Sequence, residues 1–261
     1  MVIDFHTHCF HDRIAPAAID TLENKARMAA AHDGTVSGLL SHMEQCGVDA
    51  SVVLPVATKP SQIPVINAWA LEQEQDMLRF FGAAHPDDPN FVNNLEWVKQ
   101  HGFKGIKLHP DYQHFFADES RMMPLYEAIR DVGLIVVIHA GVDVGYPSPV
   151  HCTPLMLRRV LQNVPGIQLV AAHMGSHALW RDVEEVLLGL PLYLDTCYSH
   201  YKLGDEGMAR MISKHGAENV LFGTDSPWKH ADDEIKRISS LPLPAADIDR
   251  IMYKNAQELL K

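Results

Sequence analysis

A chain of 261 residues with 47% hydrophobic and 21% charged residues holds enough apolar material for one large core or two smaller ones. No apolar run approaches the roughly 20 residues of a membrane-spanning helix. The formal charge of −11, from 22 Lys and Arg against 33 Asp and Glu, repels polyphosphates and argues against a nucleic-acid partner.

The opening MVIDFHTHCF has no basic leader before an apolar stretch, so no signal peptide is expected and a cytoplasmic location is. Residues 2–6 read as a first strand. The long segment 13–32 is predicted to hold an extra helix, ahead of a helix at 36–45. Strand–helix pairs then follow at 50–55 and 63–77, 80–84 and 91–101, and 103–109 and 123–132. They continue at 134–139 and 154–163, 167–173 and 179–188, 192–195 and 205–215, and 220–224 and 232–239, before a C-terminal helix at 245–260. Such alternation implies parallel strands joined by crossovers, with buried strands reading as near-continuous apolar runs. Eight units favour a closed (β/α)8 TIM barrel over an open sheet, whose first turn would be rich in glycine; the first turn here is HTHCFHD. A single domain spanning residues 1–261 is predicted.

The four cysteines (Cys9, Cys46, Cys152 and Cys197) form no CxxC pair and are read as free thiols. The 16 histidines exceed what packing alone calls for. In this type of barrel the active site lies at the C-terminal strand ends. The polar residues there are His6, Thr7 and His8, then His85, Lys107, His109, His139, His173, Asp195 and Asp225. Side chains at i and i+2 share a strand face about 6.5–7 Å apart, so His6 and His8 both point inward. With His139 as a third imidazole and Asp225 as a carboxylate, they form a set suited to Zn²⁺, Fe²⁺ or Mn²⁺. One divalent ion, zinc first, is expected. An HxH alone is weak evidence, whereas four donors at the ends of strands one, five and eight are a pattern.

These pieces resemble the amidohydrolase superfamily, specifically the amidohydrolase-2 branch that includes aminocarboxymuconate-semialdehyde decarboxylase-like enzymes. The matching stretches are IDFHTH, GFKGIKLHP, VIHAG, LVAAHMGS, LDTCYS, NVLFGTDSPW and KNAQELL, in order along essentially the whole chain. The resemblance implies metal ligation by His6, His8, His139 and Asp225, with His173 beside the bound water and assisting catalysis. In binuclear members of the superfamily a carboxylated lysine from strand four bridges two metals. The resembled branch is generally mononuclear, so Lys107 is read as a group that binds a substrate anion or supports the ligands, ahead of a bridging ligand, with His109 as a further candidate for a substrate carboxylate. Trp228 in DSPW and Tyr198 in LDTCYS are further candidates for the substrate pocket. The loop GVDVGYPSPVHCTP, with Asp143, Tyr146 and His151, is expected to shape it.

The expected activity is metal-dependent hydrolysis. A water would be activated, with Asp225 accepting its proton, to cleave an amide, ester or lactone in a small acidic or cyclic substrate. Decarboxylation of an unsaturated or aromatic acid by the same residues is the alternative. A barrel that binds metal without turnover is a distant third. The expected partner is a small molecule, with no nucleic acid or membrane, and a homo-oligomer is left open.

Overall fold

The computed structural model describes residues 1–146 and 148–261. Its strands are β1 (Ile3–Thr7), β2 (Ala50–Val53), β3 (Leu78–Phe80), β4 (Gly82–Ala83), β5 (Gly105–Leu108), β6 (Ile135–Ile138), β7 (Gln168–Ala171), β8 (Tyr193–Asp195) and β9 (Val220–Leu221). The α-helices are α1 (Ala15–Ala26), α2 (Val36–Cys46), α3 (Ile63–Gln73), α4 (Phe91–Gln100), α5 (Pro110–Gln113) and α6 (Met123–Val132). They continue with α7 (Pro154–Asn163), α8 (Trp180–Val186), α9 (His200–His215), α10 (Ala231–Ser239), α11 (Ala245–Asp249) and α12 (Asn255–Leu259). Among the described residues, no helix is long and apolar enough to cross a membrane.

Each expected strand is present, but the third, at 80–84, is replaced by β3 and β4 on either side of Phe81. The helix expected within 13–32 is α1. The single helix expected at 245–260 is broken into α11 and α12 by a π turn at Arg250–Lys254. Within that turn the Ile251 carbonyl accepts the Phe222 N–H at 2.9 Å, so the widened turn frees an acceptor for the strand. Gly204, at φ 62 and ψ 179, kinks α9, which explains why the helical pattern in the sequence begins after it.

Contacts divide the chain into two compact units. The first comprises Met1–Val53, Gln75–Arg79 and Asp195–Lys261. In it β1 pairs in parallel with β2, with Ile3 opposite Ala50 and Asp4 opposite Ser51. On its other side β1 runs beside residues 222–226: the Phe5 N–H donates to Phe222 O at 2.8 Å and the Asp225 N–H to His6 O at 2.8 Å. Phe5, Val52, Phe222, Met208, Ile212 and Ile251 are buried in this unit's core. The Asn255 side-chain amide donates to Ala217 O and Val220 O, both at 2.7 Å, tying α12 to the start of β9.

The second unit comprises Leu54–Glu74 and Phe80–Leu194. Here β4, β5, β6 and β7 pair in parallel in chain order, and β7 then pairs with the Tyr193–Leu194 part of β8. The run IVVI of β6 is buried at all four positions, as a strand covered on both faces requires. Helix α6 turns Leu125, Tyr126 and Ile129 inward and ends at Gly133 in the left-handed region (φ 72).

Candidate active site

In the first unit the pairing of β1 with residues 222–226 sets the register of the candidate ligands. The His8 N–H donates to Ser226 O at 2.6 Å, one step beyond the bond from Asp225 to His6. His6 Nε2 lies 3.5 Å and His8 Nε2 3.2 Å from Asp225 Oδ1. One donor atom from each residue fits within 4.8 Å of the others, a cluster that one ion with bonds of about 2.0–2.2 Å can gather. The two rings stand edge to face, their centroids 5.1 Å apart. Asp225 itself occupies the left-handed region (φ 65), an uncommon backbone state for a residue other than glycine and one that gathers at functional sites.

Behind the candidate ligands is a carboxylate layer. His6 Nδ1 lies 2.8 Å from Asp195 Oδ2, and the Cys197 thiol donates to Asp195 Oδ1 at 2.7 Å. Asp4 accepts the His6 N–H (3.2 Å), the Thr224 N–H (3.0 Å) and the Thr224 hydroxyl (2.5 Å), clamping β1 to the segment that carries Asp225. Burial pushes the Asp4 carboxyl up to about 7 despite these donors. Toward the surface, Tyr198 donates its hydroxyl to Met28 Sδ, packing the segment after α1 over it. Lys229 Nζ sits 4.5 Å from the Tyr198 ring centroid. Burial pushes the Tyr198 phenol up to about 12, so it is a hydrogen-bond donor at neutral pH. Trp228 is half-buried, its backbone N–H donating to Asp225 O at 2.9 Å.

The second unit holds the remaining candidates. His139 follows β6, and its N–H donates to Leu108 O at 3.0 Å. Its Nδ1 lies 3.0 Å from His173 Nε2. Its ring stacks on His109 (centroids 4.2 Å apart, 9° between planes), and His109 stacks in turn on Tyr112 (3.6 Å, 14°). Burial, then the nearby His109 and His173, holds His139 well below the usual histidine range, so the ring is neutral and able to ligate. His109 Nε2 lies 3.3 Å from Asp143 Oδ2. His173 is at φ 61, and its carbonyl accepts the Trp180 indole N–H at 2.9 Å. Lys107 on β5 is fully buried. Asp111 in α5 pairs its Oδ1 with His151 Nδ1 at 2.7 Å, and burial raises its carboxyl.

Among the residues assigned from sequence, His6, His8 and Asp225 cluster in the first unit, with Tyr198 and Trp228 also there. His109, His139, His173 and Lys107 belong to the second. Of the loop carrying Asp143, Tyr146 and His151, Pro147 lies outside the described residues. Asp4, Asp111, Asp195 and Cys197 carry no role predicted from sequence. Asp195 had a signal in its place at a strand end; Asp111 had only the HPD start of a short helix. The cysteines are free, and three of the four are buried. A separate cavity of about 650 Å³ in the first unit opens at the other ends of β1 and β2, lined by Ile3, Ser51, Val52 and Arg79, and holds none of these residues.

A family model described as amidohydrolase matches residues 3–261. The chain belongs to the amidohydrolase family. This amidohydrolase is 22% identical to the gamma-resorcylate decarboxylase of Polaromonas sp. (strain JS666 / ATCC BAA-500), over 74% of the chain and 73% of that relative. It superimposes on the crystal structure of an uncharacterized TIM-barrel protein from Bordetella bronchiseptica with a TM-score of 0.82 and 20% identity, over 99% of this chain and 98% of that one. It also matches a dihydroxybenzoic acid decarboxylase from Polaromonas sp. JS666, solved with manganese and the inhibitor 2-nitroresorcinol, with a TM-score of 0.73 and 15% identity over 99% and 96%. Identities this low speak to fold alone. The amidohydrolase has the TIM-barrel-like α/β fold its alternation predicts, with α1 added after β1 and α11 and α12 at the C-terminal end.

Proposed function

We propose that this amidohydrolase is one catalytic barrel over residues 1–261, and that it decarboxylates a small aromatic or cyclic carboxylic acid with the aid of one divalent ion, manganese ahead of zinc. The reading rests on the convergence of His6, His8 and Asp225 in a chain whose curated relative and manganese-holding structural relative are both decarboxylases. The alternative drawn from sequence is thereby preferred to hydrolysis.

His6 and His8 through Nε2, and Asp225 through Oδ1, would hold the ion. The sequence motifs add His139 as the remaining ligand and His173 as the group beside the reacting atoms. When bound, the ion supplies positive charge that anchors and polarises substrate oxygens. The chain's own residues handle the proton. Decarboxylation places a proton on the carbon that bears the carboxylate, and the C–C bond then breaks as CO₂ leaves and its electron pair returns to the ring. We assign delivery of that proton to Asp225 and stabilisation of the accompanying charge to His173. Lys107 and His109 are assigned to anionic substituents, and Tyr198 and Trp228 to the walls around the ring.

Burial favours this chemistry over hydrolysis. His6, His109, His139 and His173 are 1%, 6%, 7% and 4% exposed, whereas hydrolysis needs water at the reacting carbonyl carbon. Dry surroundings protect the ring-protonated intermediate from side reactions with solvent. The test is turnover of a panel of hydroxybenzoic acids, lactones and amides in ¹⁸O-labelled or deuterated water. Expected are CO₂ release, one solvent deuterium on the ring and no ¹⁸O in the organic product. Labelled carboxylate formed from a lactone or amide, without CO₂, would replace decarboxylation by hydrolysis.

A further inference from the structure

His139 Nε2 and Asp111 Oδ2 are both buried, both lack a hydrogen-bond partner among the described residues, and lie 3.9 Å apart. Two facing polar orphans in a protein interior call for an explanation, because each buried unsatisfied group costs about 1–3 kcal/mol. We propose that Asp111 is the positioning residue for His139, accepting a hydrogen bond from its Nε2–H and so presenting Nδ1 as the ligating lone pair. This inference rests on the reading of His139 as a metal ligand.

The neighbouring groups favour this arrangement of His139. Its Nδ1 faces His173 Nε2 at 3.0 Å, the residue assigned beside the reacting atoms. A neutral imidazole that offers Nδ1 as a lone pair carries its proton on Nε2, and that proton needs an acceptor. His109 is unsuitable: its Nδ1 accepts the Tyr112 N–H at 3.4 Å, so its own Nε2 bears a proton, directed at Asp143 Oδ2 3.3 Å away. Asp143 is already engaged at both oxygens, by His109 at Oδ2 and by the Gly145 N–H at Oδ1 (2.7 Å). Asp111 Oδ2 remains, on a carboxylate whose other oxygen is held by His151 Nδ1 at 2.7 Å. The 9° stack of His109 on His139 covers one ring face, so the ring approaches Asp111 by sliding in its own plane. Moving about 1 Å closer makes a normal hydrogen bond and satisfies both orphans. The first unit shows the same device already closed, with Asp195 at 2.8 Å from His6 Nδ1. Carboxylates on the far nitrogen of ligating histidines fix the tautomer and ring plane.

The test uses the full chain carrying Asp111→Ala or Asp111→Asn, with Asp143→Asn as the comparison. Two quantities are read: Mn²⁺ affinity by chelator competition, and the His139 tautomer in metal-free, ¹⁵N-histidine-labelled protein, assigned against His139→Asn. Asp111→Ala is expected to weaken Mn²⁺ binding by about 10- to 100-fold, to remove the Nε2–H signature of His139, and to cost nothing further in the His139→Asn background. Asp111→Asn keeps the shape and one neutral acceptor; it is expected to show a smaller loss and answers the question if the alanine variant fails to fold. Wild-type affinity and tautomer in both Asp111 variants would overturn the inference while leaving the metal site standing, as would the loss appearing with Asp143→Asn instead. Failure of the wild-type protein to take up Mn²⁺ or Zn²⁺ would remove the metal reading itself, and this inference with it.

Discussion

His6 Nδ1 lies 2.8 Å from Asp195 Oδ2, so the imidazole commits one nitrogen to that carboxylate and turns the other toward Asp225 Oδ1, 3.5 Å away. The pair joins residues 189 positions apart in the chain. With Asp195 ionised, Nδ1 carries the proton and Nε2 the lone pair, the tautomer a metal requires. Asp195→Asn is therefore expected to weaken Mn²⁺ or Zn²⁺ binding by about 10- to 100-fold, measured by competition with a chromophoric chelator. Unchanged affinity would reduce Asp195 to a packing role.

His6 and His8 both approach one oxygen of Asp225, at 3.5 and 3.2 Å. Residues that share one partner are not additive. His8→Ala alone is expected to cost most of the metal affinity, and adding His6→Ala much less than it costs by itself. Elemental analysis of the purified variants against wild type reads the stoichiometry, with near one equivalent expected in wild type. Two independent, additive losses would mean that the histidines do not share an ion.

Much of this site is legible in sequence, for a simple reason. His6 and His8 are two apart on a strand, and His139 and Asp225 each follow an apolar run, so a period of two and a strand end suffice to nominate them. Strand and helix positions follow from equally local patterns: IVVI and the amphipathic stretch of α6 each declare their element. The carboxylates near these candidates do not. Asp4, Asp195 and Asp111 acquire their roles from partners brought close only by folding, such as Thr224, His6 and His151. The left-handed backbone of His173 and Asp225 is equally silent, since neither residue is a glycine that would advertise it. The break at Phe81 and the π turn at Arg250–Lys254 escape periodicity because each adjusts a regular element to a tertiary contact.

His32 contributes to the pH dependence. Burial, then the charge of nearby His42, lowers its pKa to about 4 from 6.5, while its Nε2 lies 3.0 Å from Ser226 Oγ and its Nδ1 accepts the Gly34 N–H. The folded protein therefore keeps His32 neutral down to about pH 4, whereas the unfolded chain binds a proton below about 6.5. The unfolded state holds more protons across that window, so stability falls as pH drops from about 6.5 to about 4 and this contribution is then exhausted. His32→Asn cannot take up that proton. Its urea midpoint is expected to fall less than wild type between neutral pH and about pH 5, a range above most carboxylate titrations. Parallel curves for the two proteins would show that His32 does not carry the acid sensitivity.

Gly223 shows how tightly the ligand layer is packed. A Cβ added there would meet the Cβ of His6 at 3.0 Å, of Asp195 at 3.4 Å and of Cys197 at 3.6 Å. Backbone conformation does not demand this glycine, because its φ is not positive; crowding by side-chain stems does. None of the three neighbours can yield at the far end of a flexible chain, since each contact is made at Cβ. Gly223→Ala must therefore shift β1 against residues 222–226, and overpacking of this kind costs about 1–3 kcal/mol. The shift displaces His6 relative to Asp195 and Asp225 together, so metal affinity is expected to fall with stability. Urea unfolding of metal-free and Mn²⁺-loaded protein separates the two effects. The metal-free midpoint reads the packing cost, and the extra stabilisation by Mn²⁺, which follows the ratio of ligand concentration to Kd, reads the damage to the site. A variant that loses stability but keeps the full stabilisation by Mn²⁺ would show that His6 retains its place despite the added methyl group.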